Sequence, residues 1–338
     1  MASINDITMS SPCPGILHSY SGQLSAFEYG SGNEIPKPHS LLFVGGLYDG
    51  LGTVPYVSTI ANALKSTKWS VFFLLLSSSY NGWGMSSLDQ DVKEIGQCVN
   101  YVRRYKDRQC KNMPGLVVLM GHSTGSQDVL HYLYSLDSTG ESKRPNVDGA
   151  ILQAPVSDRE HFLQLLKDGD TTSMPIFNEL VNLAKKNVAS GSNNTILPLD
   201  STIKVGISIP ISSYRFLSLF SPDSPDSPQD DDLFSSDLTD ERLNKTFGMI
   251  RHRDLLKGSL MVLFSGADEF VPDSVDKGTL LARWENATKQ GDVSRDIWSS
   301  ISGIIPGALH SPPDGDDNCP QRDLVSRVET YLNSIEKP

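Results

Sequence analysis

The hydrophobic pattern of this chain is dominated by short, uninterrupted apolar runs. They are Leu41–Gly45, Val71–Leu76, Leu116–Met120, Ala150–Gln153, Leu260–Phe264 and Gly303–Ile305. A run without polar alternation marks a strand covered on both faces, which is the situation of a parallel sheet between helical layers. The intervening stretches carry helical periodicity. Leu88, Val92, Ile95, Val99 and Val102 recur at steps of three and four and form one apolar stripe. Pro55–Leu64, Val129–Leu136, Leu280–Trp284 and Leu324–Ile335 are further candidate helices. Near the start, Ile16–Tyr20 and Leu24–Tyr29 flank Ser21-Gly22 and predict a hairpin. The expectation is an α/β fold with a mostly parallel central sheet of about eight strands and helices on both faces.

The chain's 338 residues exceed what that framework needs. The excess resolves into an insertion of about 100 residues, too long for a simple connection. The core is expected over 1–157 and 258–338, with a cap or lid insertion over 158–257. The insertion contains helical patterns at Phe162–Leu166 and Ile176–Lys186, and an acidic low-complexity stretch, Ser221–Asp232. That composition predicts a solvated loop, or alternatively an acidic rim over a site that attracts cations.

The net charge of −11 disfavours nucleic acid or an anionic membrane surface as a partner. No apolar window is long enough for a spanning helix. Met1–Pro14 lacks the basic and apolar regions of a secretory signal. Cys13, Cys98, Cys110 and Cys319 are few and far apart, so reduced thiols and a cytoplasmic setting are expected. No Cys/His metal spacing occurs, and Asp314, Asp316 and Asp317 lack calcium-loop spacing, so neither metal nor cofactor is expected.

The segment Gly121-His122-Ser123-Thr124-Gly125 carries the chemistry. A G-x-S-x-G pentapeptide alone is weak. Here it follows the apolar strand directly and opens a helix containing Val129, Leu130 and Leu133, which is the setting a nucleophile elbow requires. The turn is tight, and a β-carbon at Gly121 or Gly125 would crowd the neighbouring strand or helix. Ser123 is the candidate nucleophile, but a serine hydroxyl needs a base. His310 lies after the last predicted strand, where the order Ser…Asp…His puts that base. His18 and His39 come too early, His131 lies inside a helix, and His161 and His252 belong to the insertion. His122 adjoins Ser123, but neighbours at a sharp elbow point apart. Asp268, on the first turn after Leu260–Phe264, is the candidate acid that orients the base, with Glu269 and Asp273 as competitors. An oxyanion hole needs two backbone N–H groups. Thr124 is expected to supply one and Leu47 the second, with Gly46 as runner-up.

The segments GHSTGSQD, SGADEFVP and VGGLYDGL together resemble the α/β-hydrolase superfamily, over about residues 16–160 and 258–336. More narrowly, with SIPISSYRFLSLFSP in the insertion, the chain resembles a fungal family of esterases that act on hydroxamate siderophores of the fusarinine C type. Ser123, Asp268 and His310 match that family's triad pattern. The resemblance implies an intracellular serine esterase that opens ester bonds of a ferric siderophore through an acyl-enzyme. Iron would enter only as part of the substrate. Fusarinine C carries free amines, so an acidic rim at Asp230, Asp231 and Asp232 would suit it. One departure is Val44-Gly45-Gly46, where common lipases carry His-Gly before the oxyanion loop. Another carboxylesterase, lipase or acyltransferase, and a non-enzymatic ligand-binding member of the fold, stay open at this stage. Oligomeric state is not legible.

Overall fold

The computed structural model describes residues 12–30, 35–111, 113–136, 144–168, 173–290, 296–313 and 319–337. Eight strands form one sheet: β1 Gly15–Ser21, β2 Leu24–Tyr29, β3 His39–Val44, β4 Trp69–Leu75, β5 Val117–His122, β6 Gly149–Gln153, β7 Leu260–Ser265 and β8 Gly303–Ile305. Their spatial order is β1-β2-β4-β3-β5-β6-β7-β8. β1 and β2 form the predicted antiparallel hairpin, and β2 meets β4 antiparallel. From β4 through β8 every pairing is parallel. The sequence expectation of about eight mostly parallel strands therefore holds.

Every residue of β3, β5, β6 and β7 is buried, as continuous apolar runs require. Alternate side chains serve opposite layers. Leu42 and Val44 face a layer built on Leu88, Val92, Ile95, Val99 and Val102. Leu41 and Phe43 face the other, built on Val57, Ile60, Leu324 and Val328. The first layer contains helices α2 (Leu88–Gln109) and α3 (Thr124–Tyr134), and the second contains α1 (Tyr56–Ala63) and the C-terminal helix Cys319–Ile335. Each fully buried Leu, Ile or Val side chain contributes about 1.5–3 kcal/mol of transfer free energy. The stripe on α2 is thus enough to fix that helix against the sheet, and Ser87 caps it by accepting from the Gln90 N–H.

Between β6 and β7 the chain forms α4 Asp158–Asp168, α5 Ser173–Ala189, α6 Leu199–Thr202, α7 Ser213–Phe220, α8 Asp240–Thr246 and α9 Ile250–Arg253. These pack in two ways. Leu166, Phe177, Leu180, Phe216, Leu219 and Phe220 form a separate apolar cluster with Trp83. Leu233, Phe234, Leu243, Phe247 and Ile250 instead join the first sheet layer. There the ring of Trp284, on α10 (Lys277–Lys289), stacks on Phe247 at 5.5 Å and on Phe264 of β7 at 5.6 Å. The C-terminal helix is α11 (Cys319–Ile335).

The acidic stretch Ser221–Asp232 is neither a uniformly solvated loop nor a continuous acidic rim, contrary to the sequence reading. Asp231 and Asp232 are 4% and 2% exposed. Asp231 pairs with Arg215 at 2.5 Å, and Asp232 pairs with Arg159 at 3.0 Å. The Ser221 hydroxyl accepts from Gln229 N–H at 2.8 Å, and the Ser224 hydroxyl donates to Asp232 at 2.5 Å. Only Asp223, Asp226 and Asp230 of this stretch present exposed carboxylates. Burying a carboxylate is costly unless it is paired, and here arginines from distant segments supply the pairing.

All four cysteines are free. Among the described residues no group of three His, Cys, Asp or Glu side chains could hold a metal ion, and Asp314, Asp316 and Asp317 lie outside them. No helix among the described residues is long and apolar enough to cross a membrane.

Truncating Trp284 removes the ring that joins Phe234 and Phe247 to β7. Trp284→Ala is expected to cost about 3–5 kcal/mol in urea unfolding. A loss under 1 kcal/mol would mean that the segment around Phe247 is not seated on the core in solution.

Candidate active site

The site grows from the junction of β5 and α3. Ser123 is the N-cap residue of α3 and has φ 55° and ψ −125°. A non-glycine residue in this region is strained by about 1–3 kcal/mol, and the neighbours must hold it there. They do so by close approach. A β-carbon on Gly121 would meet the Gly125 carbonyl oxygen at 2.1 Å. One on Gly125 would meet the carbonyl oxygens of Val44 and Gly45 at 2.3 and 2.6 Å. Both glycines are therefore steric requirements of the turn. Hydrogen bonds complete the clamp. Ser123 N–H donates to the Gln153 carbonyl at 3.0 Å. The Ser126 hydroxyl reaches the carbonyls of Gly121 and Gln153 at 3.0 and 2.9 Å.

Asp268 and His310 meet across the ends of β7 and β8. The Asp268 carboxylate accepts from His310 Nδ1–H at 2.9 Å through Oδ2, with Oδ1 at 3.1 Å. Oδ1 also accepts from the Phe270 N–H at 3.0 Å. Both residues are buried. Of the competing acids, Glu269 accepts from the backbone N–H of His310 at 2.8 Å and so positions the same residue by another route. Asp273 is exposed. Among the described residues Ser123 Oγ makes no hydrogen bond to His310. The two are linked through Gln153, whose carbonyl holds Ser123 and whose Nε2 donates to the His310 carbonyl at 3.4 Å.

Gln153, at the end of β6, is fully buried and was not found by sequence reasoning. Its Oε1 accepts from the Tyr56 hydroxyl at 2.7 Å and lies 2.5 Å from His122 Nδ1. His122 is thus tied to the end of β6. Burial and then the neighbouring His310, whose ring lies 4.8 Å away, lower its pKa to about 4. It stays neutral and makes no second cation beside His310. His18, His39 and His131 are engaged elsewhere, with Glu28, the Leu116 N–H and Asp89 respectively.

The loop after β3 comes up against the serine. A β-carbon on Gly46 would meet Ser123 Cβ at 2.7 Å. The Gly46 N–H is already occupied, because it donates to Asp49 Oδ2 at 2.7 Å. Asp49 Oδ1 accepts from the Thr53 hydroxyl at 2.7 Å, and Tyr48 takes φ 64° to close this turn. Asp49 was also missed; its signal is an Asp three residues after a glycine, the spacing of a side-chain-stabilised turn. The Leu47 side chain packs against the apolar cluster of α4, α5 and α7.

Glycine adopts the Ser123 backbone conformation without strain. Ser123→Gly is therefore expected to be more stable than Ser123→Ala by about 1 kcal/mol in chemical denaturation. Equal stabilities would show that the elbow relaxes in solution.

The family model described as "Protein of unknown function (DUF1749)" matches residues 8–333. The chain is 49% identical to the fusarinine C esterase sidJ of Aspergillus fumigatus, over 96% of this chain and 97% of that protein. It is 47% identical to the esterase AN6793 of Emericella nidulans, over 96% of this chain and 94% of that protein. Among solved structures, the siderophore hydrolase EstB from Aspergillus fumigatus superimposes with a TM-score of 0.86 at 49% identity, covering 98% of this chain and 100% of that one. A monoglyceride lipase from Saccharomyces cerevisiae, 12% identical, matches with a TM-score of 0.57 over 98% of both chains and shares the fold. The chain belongs to the DUF1749 family and has the α/β-hydrolase fold.

Proposed function

We propose that this protein is a serine esterase that hydrolyses ester bonds of iron-loaded hydroxamate siderophores of the fusarinine C type, in the cytoplasm. The observation that carries the chemistry is the His310–Asp268 pair, at 2.9 Å, on the sheet end that also presents the strained Ser123. The substrate class is supported by the 49% identity to a fusarinine C esterase over nearly the whole of both chains.

In the proposed mechanism His310 Nε2 takes the Ser123 proton as Oγ attacks the ester carbonyl. Asp268 accepts from Nδ1–H, so the nitrogen facing the serine is the basic one, and it stabilises the imidazolium that forms. The oxyanion is held by the N–H of Thr124, which opens α3 and has no intrahelical acceptor, and by that of Leu47. Gly46 is the poorer choice for the second donor because Asp49 already accepts its N–H. The alcohol leaves with the proton from His310. Water, deprotonated by the same imidazole, then releases the acid from Ser123. Ferric iron travels with the substrate, and each cleavage opens or shortens the chain of hydroxamates around it. The helices between β6 and β7 cap this site, with α4, α5 and α7 resting on Leu47 and Trp83.

The test is mass-spectrometric product analysis after incubation with ferric fusarinine C and with simple acyl esters. Linear and shortened hydroxamate products are expected. Intact siderophore beside rapid ester turnover would overturn the substrate assignment. Asp268→Asn is expected to lower kcat by roughly 10³–10⁴ with the fold retained. Asp49→Ala frees the Gly46 N–H and loosens the Leu47 donor, and is expected to lower kcat by about 10²-fold with a smaller change in KM. An unchanged kcat in Asp49→Ala would remove Leu47 from the oxyanion hole.

A further inference from the structure

A second carboxylate stands beside the proposed catalytic machinery. Asp158 begins α4, directly after the loop that leaves β6. Its Oδ2 accepts from Gln127 Nε2 at 2.7 Å. Gln127 lies one helical turn after Ser123 on α3, so the carboxylate is tethered close to the serine. The other Asp158 oxygen has no hydrogen bond among the described residues. His310 acts electrostatically on this carboxylate, as do Arg215 and Asp231 from the segment above.

Two neighbouring polar atoms are buried without partners: Gln127 Oε1 and Thr124 Oγ1. Gln127 is fully buried. Its Oε1 shares a carbon with the Nε2 that holds Asp158, so this orphan acceptor sits beside the carboxylate. Buried acceptors without donors are costly and rare in native structures. The charge count points the same way. Arg215 is neutralised by its 2.5 Å pair with Asp231. Asp128, which also faces Arg215, has its pKa raised well above the ordinary range by burial. Asp91, hydrogen-bonded by the Ser86 hydroxyl at 2.9 Å, is raised to about 7 by burial. Among the described residues no ion pair joins Asp158 to a cation, and the arginine that acts on it, Arg215, is taken up by Asp231. The Asp158 oxygen that Gln127 leaves free can accept a further hydrogen bond, and the ligand group that best matches a nearly buried carboxylate is a cationic donor.

We propose that Asp158, held in place by Gln127, is the specificity site for a protonated primary amine carried by the ester substrate. It binds that amine while Ser123 attacks the ester. The proposal rests on the serine-esterase reading above and adds the residue that recognises the amine.

The experiment compares paired 4-nitrophenyl esters of ω-amino acids of increasing chain length, each as the free amine and as the N-acetylated form. The readout is the ratio of kcat/KM within each pair, in which general effects on Ser123 and His310 cancel. At pH 8 the wild type is expected to prefer the free amine by at least about tenfold at one chain length, the size of one charge-assisted hydrogen bond. Asp158→Asn keeps an acceptor for Gln127 but removes the charge, and is expected to bring the ratio close to one. The wild type itself supplies a second measurement that needs no variant. Burial raises the Asp158 pKa to about 6, so lowering the pH from 8 to 5 neutralises the carboxyl while the amine stays protonated. The preference should fall across that range. A wild-type ratio at or below one at every length, or an undiminished ratio in Asp158→Asn, would overturn the proposal. Absence of turnover of every ester by the wild type would overturn the esterase reading, and this inference with it.

Discussion

The site depends on one steric constraint, the contact of Gly125 with the carbonyl oxygens of Val44 and Gly45. A β-carbon at Gly125 would stand 2.3 Å from the nearer oxygen, so only glycine lets α3 begin this close to β3. That approach puts the residue just before α3, Ser123, at φ 55°. The strain is stored where the proposed chemistry uses it, because the turn lifts the hydroxyl clear of the sheet end and leaves the first N–H groups of α3 facing the same space. The rest of the fold serves this junction. Continuous apolar strands bury the sheet on both faces, and the parallel order brings the ends of β3, β5, β6, β7 and β8 together.

The polar part of the site is fastened by β6. Gln153 holds the Ser123 N–H, the Tyr56 hydroxyl, the His122 ring and the His310 carbonyl. One buried amide thus fixes the serine loop and the histidine loop relative to each other. His122 is neutral beside His310 because burial and the neighbouring imidazole outweigh that hydrogen bond, which favours the protonated ring. The apolar cluster above the site makes a second connection. Leu47, the proposed oxyanion donor, and Trp83 both belong to it, so the seating of α4, α5 and α7 bears directly on the loop that would hold developing negative charge.

Much of this was legible in the sequence, for local reasons. Strands covered on both faces write themselves as unbroken apolar runs, and Leu88, Val92, Ile95, Val99 and Val102 could only form a helical stripe. Gly121 and Gly125 announce a close approach because the serine lies between them, directly after a strand. Asp268 and His310 follow from chain order. What was missed depends on partners far apart in the chain. Gln153 reads as the polar end of an apolar strand until Tyr56 and His310 arrive beside it. Asp231 and Asp232 read as part of a solvated acidic tract, because nothing local shows that Arg215 and Arg159 will bury and pair with them. Part of the chain's negative charge is therefore internal. The unpaired carboxylate next to the proposed catalytic groups is Asp158, which sequence composition did not mark.

The central claim is that Ser123 is a nucleophile activated by His310 and Asp268. Its most direct measurement is covalent labelling with a fluorophosphonate, followed by peptide mass analysis. One equivalent of label is expected on the peptide containing Ser123, and labelling should be slowed at least about 10³-fold in His310→Ala. Label on another residue, or equal rates in the two proteins, would contradict the account.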